Sequence, residues 1–229
     1  GRAARHMAKE SRCPMVVDDA GPAAADLEAL PKLLRADSLG PAFRALILSP
    51  PSQSDLAQNV FQRGHTPVPQ AIYDASETLT QTLAEALTDS LPRLYADTTV
   101  QGAYSPDAAS TGKRDLNARI LSLLTRLDGG DQAARQYDAA DNMTQQNAAL
   151  ASLLKAEKGE TQSQAFFDQW QDDRLVMDKW FGLQVVCAAP QNVASTAEAL
   201  TSHALFDMKN PNRFRAVMGA LAMNQAGFH

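Results

Sequence analysis

Apolar residues recur at three- and four-residue steps along most of the chain, which is the spacing of one buried helix face. The clearest pattern follows a loop predicted over 105–112 and stops at Gly129-Gly130, and its apolar positions are Leu116, Ile120, Leu123, Leu124 and Leu127. An earlier leucine stripe runs from Leu79 to Leu94, and Pro92 is expected to kink or end that helix near Leu91. Similar spacing predicts further helices, including 43–49, 52–61, 131–140, 144–155, 193–201 and 211–223.

No segment shows the sustained alternation of a half-buried strand. About ten short helices with tight connections, none of them dominant in length, favour stacked pairs over a four-helix bundle. Sequence repeats of fixed period are not found. The pattern therefore predicts an all-α protein, an α-solenoid-like superhelix of stacked antiparallel helix pairs.

The composition of the chain argues against some classes of binding partner. The 229 residues carry a formal net charge of -5, so the broad positive field of a nucleic-acid or anionic-membrane binder is missing. Apolar runs are too short to span a bilayer, and residues 1–20 contain no apolar signal-peptide core. We therefore expect no nucleic-acid partner, no membrane partner and a cytoplasmic location. Residues 1–20 are expected to be tag-derived or disordered, and the helical domain to cover 21–229.

Motifs of catalytic chemistry are missing from the sequence. The four histidines, His6, His65, His203 and His229, are scattered, and no His-Glu-x-x-His or Cys-x-x-Cys spacing occurs. Cys13 and Cys187 cannot form a disulfide framework and are interpreted as reduced thiols. The sequence therefore predicts no catalytic residue, no metal ligand and no cofactor within this chain.

Two stretches do not fit an ordinary helical surface. Residues 175–181 place a charged Asp178-Lys179 pair inside a strongly apolar helix. Residues 210–215 begin a helix in which Asn210 can act as the N-cap and Pro211 suits the first position. Arg213 then lies in the first turn, where a cation meets the positive end of the helix dipole. An anion should therefore lie close to Arg213.

That anion has two interpretations, and the residue types leave both open. Arg213 can pair with a carboxylate across the core, either Asp178 or Asp207. Alternatively, its guanidinium faces a cavity and receives the carboxylate of a ligand.

These same stretches carry a resemblance to a known family. Leu-Val-Met-Asp-Lys-Trp-Phe over 175–181 with Gln184 a turn later, and Phe-Asp-Met-Lys-Asn-Pro-Asn-Arg over 206–213, resemble the C-terminal domain of the bacterial aminopeptidase N family. Those enzymes are zinc metallopeptidases of the gluzincin group. A weaker agreement lies at Ala-Asp-Asn-Met-Thr over 140–144, and the resemblance covers about 22–229.

The resemblance implies a fold and a division of labour. The family's last domain is an all-helical superhelix that caps the catalytic domain and controls access to its active-site chamber. The zinc-binding His-Glu-x-x-His helix and the Gly-x-Met-Glu-Asn loop belong to an earlier domain, so we expect a chain truncated at both ends and inactive alone. Zinc is then expected only in the parent enzyme's catalytic domain.

The resemblance also implies partners and one site. Arg213 is a candidate contact for the carboxyl side of a peptide substrate, with Asn210 and Asn212 shaping the start of its helix. Expected partners are the parent's catalytic domain and peptide substrates. The alternative function is a helical scaffold without a peptidase role, which associates with itself or a partner through exposed apolar surface.

Overall fold

The computed structural model describes residues 24–36, 38–49 and 51–229, and these residues form helices and connecting turns without a strand. The segment 1–20 lies outside the described residues, as does Cys13. The helices are α1 (Ala24–Arg35), α2 (Pro41–Leu48), α3 (Gln53–Gln62), α4 (Pro69–Ala86), α5 (Leu91–Thr98), α6 (Ala108–Asp128), α7 (Asp131–Ala139), α8 (Met143–Lys155), α9 (Glu160–Trp170), α10 (Arg174–Cys187), α11 (Pro190–Thr201), α12 (Pro211–Phe214), α13 (Ala220–Met223) and α14 (Gln225–Phe228). A π-helical turn, Arg215–Gly219, joins α12 to α13.

The helices stack in two layers. Helices α4, α6, α8 and α10 form one layer, in which each helix packs against the next. In the described part of the chain, α5, α7 and α9 pack mainly on helices of the first layer rather than on one another, and α11 packs on α10 and α14. Neighbouring helices are in contact in the first layer and lie further apart in the second. The first layer is therefore the shorter one, and the α4–α6–α8–α10 face is the concave side. This arrangement confirms the predicted all-α stack of helix pairs.

Helix α6 lies between two hydrophobic clusters and contributes to both. Leu116 and Ile120 pack in an N-terminal cluster with residues of α1, α2, α4 and α5. Leu121 faces a C-terminal cluster built around Phe166, Phe181 and residues of α7 to α11. Because one helix supplies both clusters, the two halves of the stack share a continuous core.

Side-chain caps explain where several helices begin. The Ser52 hydroxyl accepts a hydrogen bond from Asp55 N at 3.1 Å, and α3 starts one residue after Ser52, as predicted. The Asp107 carboxylate accepts one from Ser110 N at 2.9 Å. This cap starts α6 at Ala108, so the loop predicted over 105–112 is wrong in its second half. At the other end Gly129 adopts a left-handed conformation with φ of 67°, which ends α6 at the predicted position.

Three other predictions about helix length need correction. Helix α6 has 21 residues and α4 has 18, so long helices are present. The leucine stripe 79–94 belongs to two helices, and Pro92 lies in the first turn of α5, where its missing N–H costs no hydrogen bond. The single helix predicted over 211–223 is interrupted by the π-helical turn.

The C-terminal segment returns to the N-terminal half of the stack. Helix α14 packs against α11 and α4. The Asn224 amide donates to the Ala188 carbonyl oxygen at 3.1 Å, and the Gln225 amide donates to the Ser54 hydroxyl at 3.4 Å. These contacts place α13 and α14 beside one end of the concave face.

Candidate functional site

Arg213 lies in a first turn that Asn210 caps. The Asn210 Oδ1 oxygen accepts hydrogen bonds from Asn212 N at 3.0 Å and Arg213 N at 3.3 Å. Pro211 occupies the first helical position, and the Asn212 side chain is exposed. Asn210 and Asn212 therefore take part in the helix start through one side chain and one backbone N–H.

The guanidinium of Arg213 is buried and bound within the protein. Its Nε donates to the Asp178 Oδ1 oxygen at 2.6 Å, and the Arg213 and Asp178 side chains are 6% and 18% exposed. Its Nη1 donates to the Leu205 carbonyl oxygen, and its Nη2 donates to that of Arg174 at 3.4 Å. All three nitrogens thus donate to groups from α10 or from the loop before α12.

Aromatic rings pack beside this ion pair. The guanidinium carbon of Arg213 lies 4.4 Å from the ring centroid of Phe181, within the range of a cation–π contact. The Trp180 ring meets the Phe181 ring edge-on at 5.0 Å, and the His203 ring lies 5.4 Å from Phe181 and 5.5 Å from Trp180. We call Arg213, Asp178, Phe181, Trp180 and His203 the Arg213 cluster.

The contacts of His203 in this cluster favour its neutral form. Its Nδ1 accepts a hydrogen bond from Leu205 N at 3.1 Å, which a protonated ring could not accept. Burial, and then the positive charge of Arg213, lower the pKa of His203 below its ordinary value. Sequence reasoning missed this residue and interpreted it as one of several scattered loop histidines.

The geometry distinguishes the two carboxylates considered for Arg213. Asp178 is the partner, whereas the Asp207 carboxylate accepts a hydrogen bond from Lys209 N at 2.9 Å. The cluster therefore joins α10, the loop after α11 and α12. Contact between Arg213 and a substrate carboxyl group stays a prediction.

A second polar site lies on the concave face. A cavity of about 740 Å³ lies between α4, α6 and α8 and is bordered by the start of α3. A smaller cavity of about 200 Å³, between α4, α10 and α13, shares Gln53, Glu77, Arg126 and Lys155 with it. We call the two cavities together the inner groove.

Charged side chains are distributed unevenly in the inner groove. Arg126 Nη2 lies 2.6 Å from Glu77 Oε2, and Arg119 Nε lies 3.6 Å from Asp115 Oδ1. Lys155 and Lys158 also line the groove. Neither of these two lysines has an ion-pair partner among the residues that the structure describes. Sequence reasoning missed this groove, because its residues come from helices far apart in the chain.

Metal-ligating side chains are not clustered in the described part of the chain. Within it, no group of three or more His, Cys, Asp or Glu side chains could hold a metal. Cys187 is a free, buried thiol, and burial raises its pKa to about 11. No helix of the described part is long and apolar enough to cross a bilayer.

The fold and these sites together define an all-helical repeat domain whose concave face carries a polar groove. The chain belongs to the family described as "Domain of unknown function (DUF3458_C) ARM repeats", whose model matches residues 2–229. This match confirms the superhelical fold class.

Comparison with whole proteins confirms the resemblance. The chain is 34% identical over 208 residues to aminopeptidase N of Caulobacter vibrioides and 35% identical over 211 residues to aminopeptidase N of Escherichia coli K12. Each alignment covers 88% of this chain, but only 24% and 23% of the two relatives. The chain thus spans about a quarter of their length and corresponds to their C-terminal domain.

A solved structure shows the same fold. The crystal structure of Legionella pneumophila aminopeptidase A in complex with aspartic acid superimposes with a TM-score of 0.85. The superposition covers 98% of this chain and 28% of that one, at 22% sequence identity. At this identity the likeness concerns the fold alone.

Proposed function

We propose that this chain is the non-catalytic C-terminal domain of a zinc aminopeptidase, which removes N-terminal residues from peptides. In that enzyme the domain caps the active-site chamber and controls the access of substrates. The observation that carries the proposal is the similarity to aminopeptidase N over 88% of the chain. The sequence also lacks the His-Glu-x-x-His and Gly-x-Met-Glu-Asn motifs of the family's catalytic domain. Zinc and the reacting bond then belong to another part of the parent chain.

The concave layer supports the capping role. Helices α4, α6, α8 and α10 present a continuous curved face, and the inner groove opens on it. A curved helical stack provides an extended concave surface, which is the part of such proteins that usually covers a partner. The partner proposed here is the parent's catalytic domain, and the molecules admitted between the two domains are peptides.

The purified chain provides the first test of this division of labour. We expect it to hydrolyse no aminoacyl anilide and to retain no stoichiometric zinc after dialysis. Activity and zinc that remain together, in constant ratio, through a second purification would reject the proposal.

The proposed control of substrate access is tested in the full-length enzyme. Arg213→Ala is expected to raise the Michaelis constant for peptides of four or more residues more than that for a single-residue anilide. This result would support the predicted contact with the carboxyl side of the substrate. Since every guanidinium nitrogen already donates within the protein, a circular-dichroism melt must accompany the kinetics. Equal kinetic effects on both substrates would reject the contact.

Exposed apolar side chains near the Arg213 cluster favour a second candidate function, that of a helical scaffold. Leu175 is 71% exposed, Met208 59% and Phe214 43%. Each lies within three residues, along the chain, of Arg174, Leu205 or Arg213. Such surface promotes association. Light scattering between about 1 and 100 μM tests this alternative, and a constant monomeric mass across that range would reject self-association.

A further inference from the structure

We propose that the inner groove binds the carboxyl-terminal end of an extended peptide, and that Lys155 and Lys158 receive its terminal carboxylate. This inference rests on the proposed function. An enzyme that acts at the amino end of a peptide must accommodate the remaining residues away from the reacting bond, and the concave face is where they would lie.

The charges in the groove select for an anion. Four cations and two carboxylates line the larger cavity, in a chain whose formal net charge is -5. Arg126 is paired with Glu77 and Arg119 with Asp115. Lys155 and Lys158 form no ion pair with a described carboxylate. Both lysines are exposed, so a carboxylate in the groove can reach their ammonium groups.

The shape of the groove suits an extended chain. Its floor on α6 and α8 is made of small side chains, among them Ala118, Ser122, Ala148 and Ala151. Arg119 and Arg126 are seven residues apart on α6, which is about 10 Å along the helix axis. An extended peptide rises about 3.3 Å per residue, so about three residues span the distance between the two ion pairs. The volume of about 740 Å³ is large enough for such a segment.

Gln53 supplies an independent polar feature. It borders both cavities of the groove, and its Oε1 oxygen is buried without a hydrogen-bond donor among the described residues. An unpaired buried acceptor is unfavourable, and a donor on a ligand can satisfy it. A peptide backbone supplies N–H donors along its whole length, whereas an inorganic anion does not.

Binding of a model peptide to the 229-residue chain tests the inference without any catalytic domain. The probe is N-acetyl-pentaalanine with a free carboxyl terminus, compared with the same peptide as its carboxyl-terminal amide. Both are titrated by isothermal calorimetry at pH 7 and low ionic strength, and the dissociation constants are compared. We expect the acid to bind at least about tenfold more tightly than the amide, the effect of one charge-assisted interaction.

Variants in which neutral glutamine replaces lysine test whether Lys155 and Lys158 bind the carboxylate. The double variant Lys155→Gln, Lys158→Gln should bind the acid and the amide equally weakly. Lys179→Gln removes one positive charge from an exposed position on α10 that does not line the groove, and it should bind like the parent chain. Thermal melts of all variants confirm folding, which exposed lysine substitutions should not disturb.

Several results would overturn the inference. These are equal binding of acid and amide, unchanged binding by the double variant, or no binding of either peptide by the parent chain. Displacement of the acid by an equal concentration of inorganic phosphate would also overturn it, by identifying a general anion site. Failure of the proposed function gives a different result. In that case the acid binds as expected, but the double variant leaves the Michaelis constants of the full-length enzyme unchanged.

Discussion

Arg213 Nε donates a 2.6 Å hydrogen bond to Asp178 Oδ1, and this ion pair connects two segments that are 35 residues apart in the chain. The Arg213 side chain is 6% exposed and the Asp178 side chain 18%. The carboxylate offsets the unfavourable position of a cation in the first turn of α12. Because a buried charge without its partner is strongly unfavourable, the attachment of α12 to α10 should depend on both residues.

Replacement of Asp178 by alanine should therefore destabilise the protein. Loss of one partner of a buried ion pair costs about 3 kcal/mol, and we expect a decrease of about that size in the free energy of unfolding. Urea denaturation followed by tryptophan fluorescence measures it, since Trp180 lies in the Arg213 cluster. Asp172→Ala, an exposed carboxylate next to α10, is the matched control and should change the value by less than about 0.5 kcal/mol. A decrease below about 1 kcal/mol in Asp178→Ala would contradict the structural role of the pair.

At the Arg213–Asp178 pair, part of the interaction could be predicted from the sequence and part could not. Local chemistry predicted that an anion lies near Arg213, because the cap at Asn210 places the arginine in a first turn. It could not choose between Asp178, Asp207 and a ligand, since that choice depends on how α10 and α12 cross. The position of His203 against the rings of Phe181 and Trp180 depends on the same crossing.

Helices were predictable where local signals decided them. Ser52 and the Gly129-Gly130 stop mark helix ends through hydrogen bonds and backbone conformations within a few residues. The π-helical turn Arg215–Gly219 was not predicted, because its residues have ordinary helical spacing. The inner groove could not be predicted from the sequence either. Its two lysines, which form no ion pair within the described part of the chain, resemble ordinary solvated lysines at a helix end. Only the stacking of α4, α6 and α8 places them beside one cavity.

The stability of the protein should fall in mild acid because of His203. Burial and Arg213 hold the pKa of the folded-state imidazole below its ordinary value of 6.5. Well above pH 6.5 the ring is neutral in both states, and its contribution to stability is fully present. As the pH falls below that value, the unfolded chain binds the proton first, so the free energy of unfolding decreases until the folded-state pKa is passed.

Urea denaturation at intervals from pH 7.5 to pH 5 checks this slope. His203→Gln removes the titrating group and should flatten the dependence of stability on pH in this window. His65→Gln, at an exposed position between α3 and α4, is the control and should keep the slope of the parent chain. An equal slope in the His203→Gln variant would show that other groups cause the acid sensitivity.

Gly227 should be required for the docking of α14. A Cβ atom at this position would overlap the Pro190 carbonyl oxygen and the Val193 Cγ1 atom of α11. Gly227→Ala is therefore expected to displace α14 from α11, with faster amide hydrogen exchange over 224–229 and a loss of about 1–3 kcal/mol typical of overpacking. Gly40→Ala is the control, since a Cβ there meets no atom within 4 Å. Unchanged exchange over 224–229 would mean that the close approach is not maintained in solution.

Cys187 should react very slowly with thiol reagents while the protein is folded. The thiolate is the reactive species, and burial raises the pKa of Cys187 from 9.0 to about 11. At pH 8 a thiol with a pKa of about 11 has a thiolate fraction about a hundredfold lower than one with a pKa of 9.0. The residue is also only 7% exposed, which slows the reaction further. The measurement uses a Cys13→Ser variant, so that Cys187 is the sole thiol, and compares its modification by an aromatic disulfide in buffer and in 8 M urea. We expect full modification within minutes in urea and a rate at least about a hundred times lower in buffer. Similar rates in the two conditions would contradict the buried position of Cys187 at the end of α10.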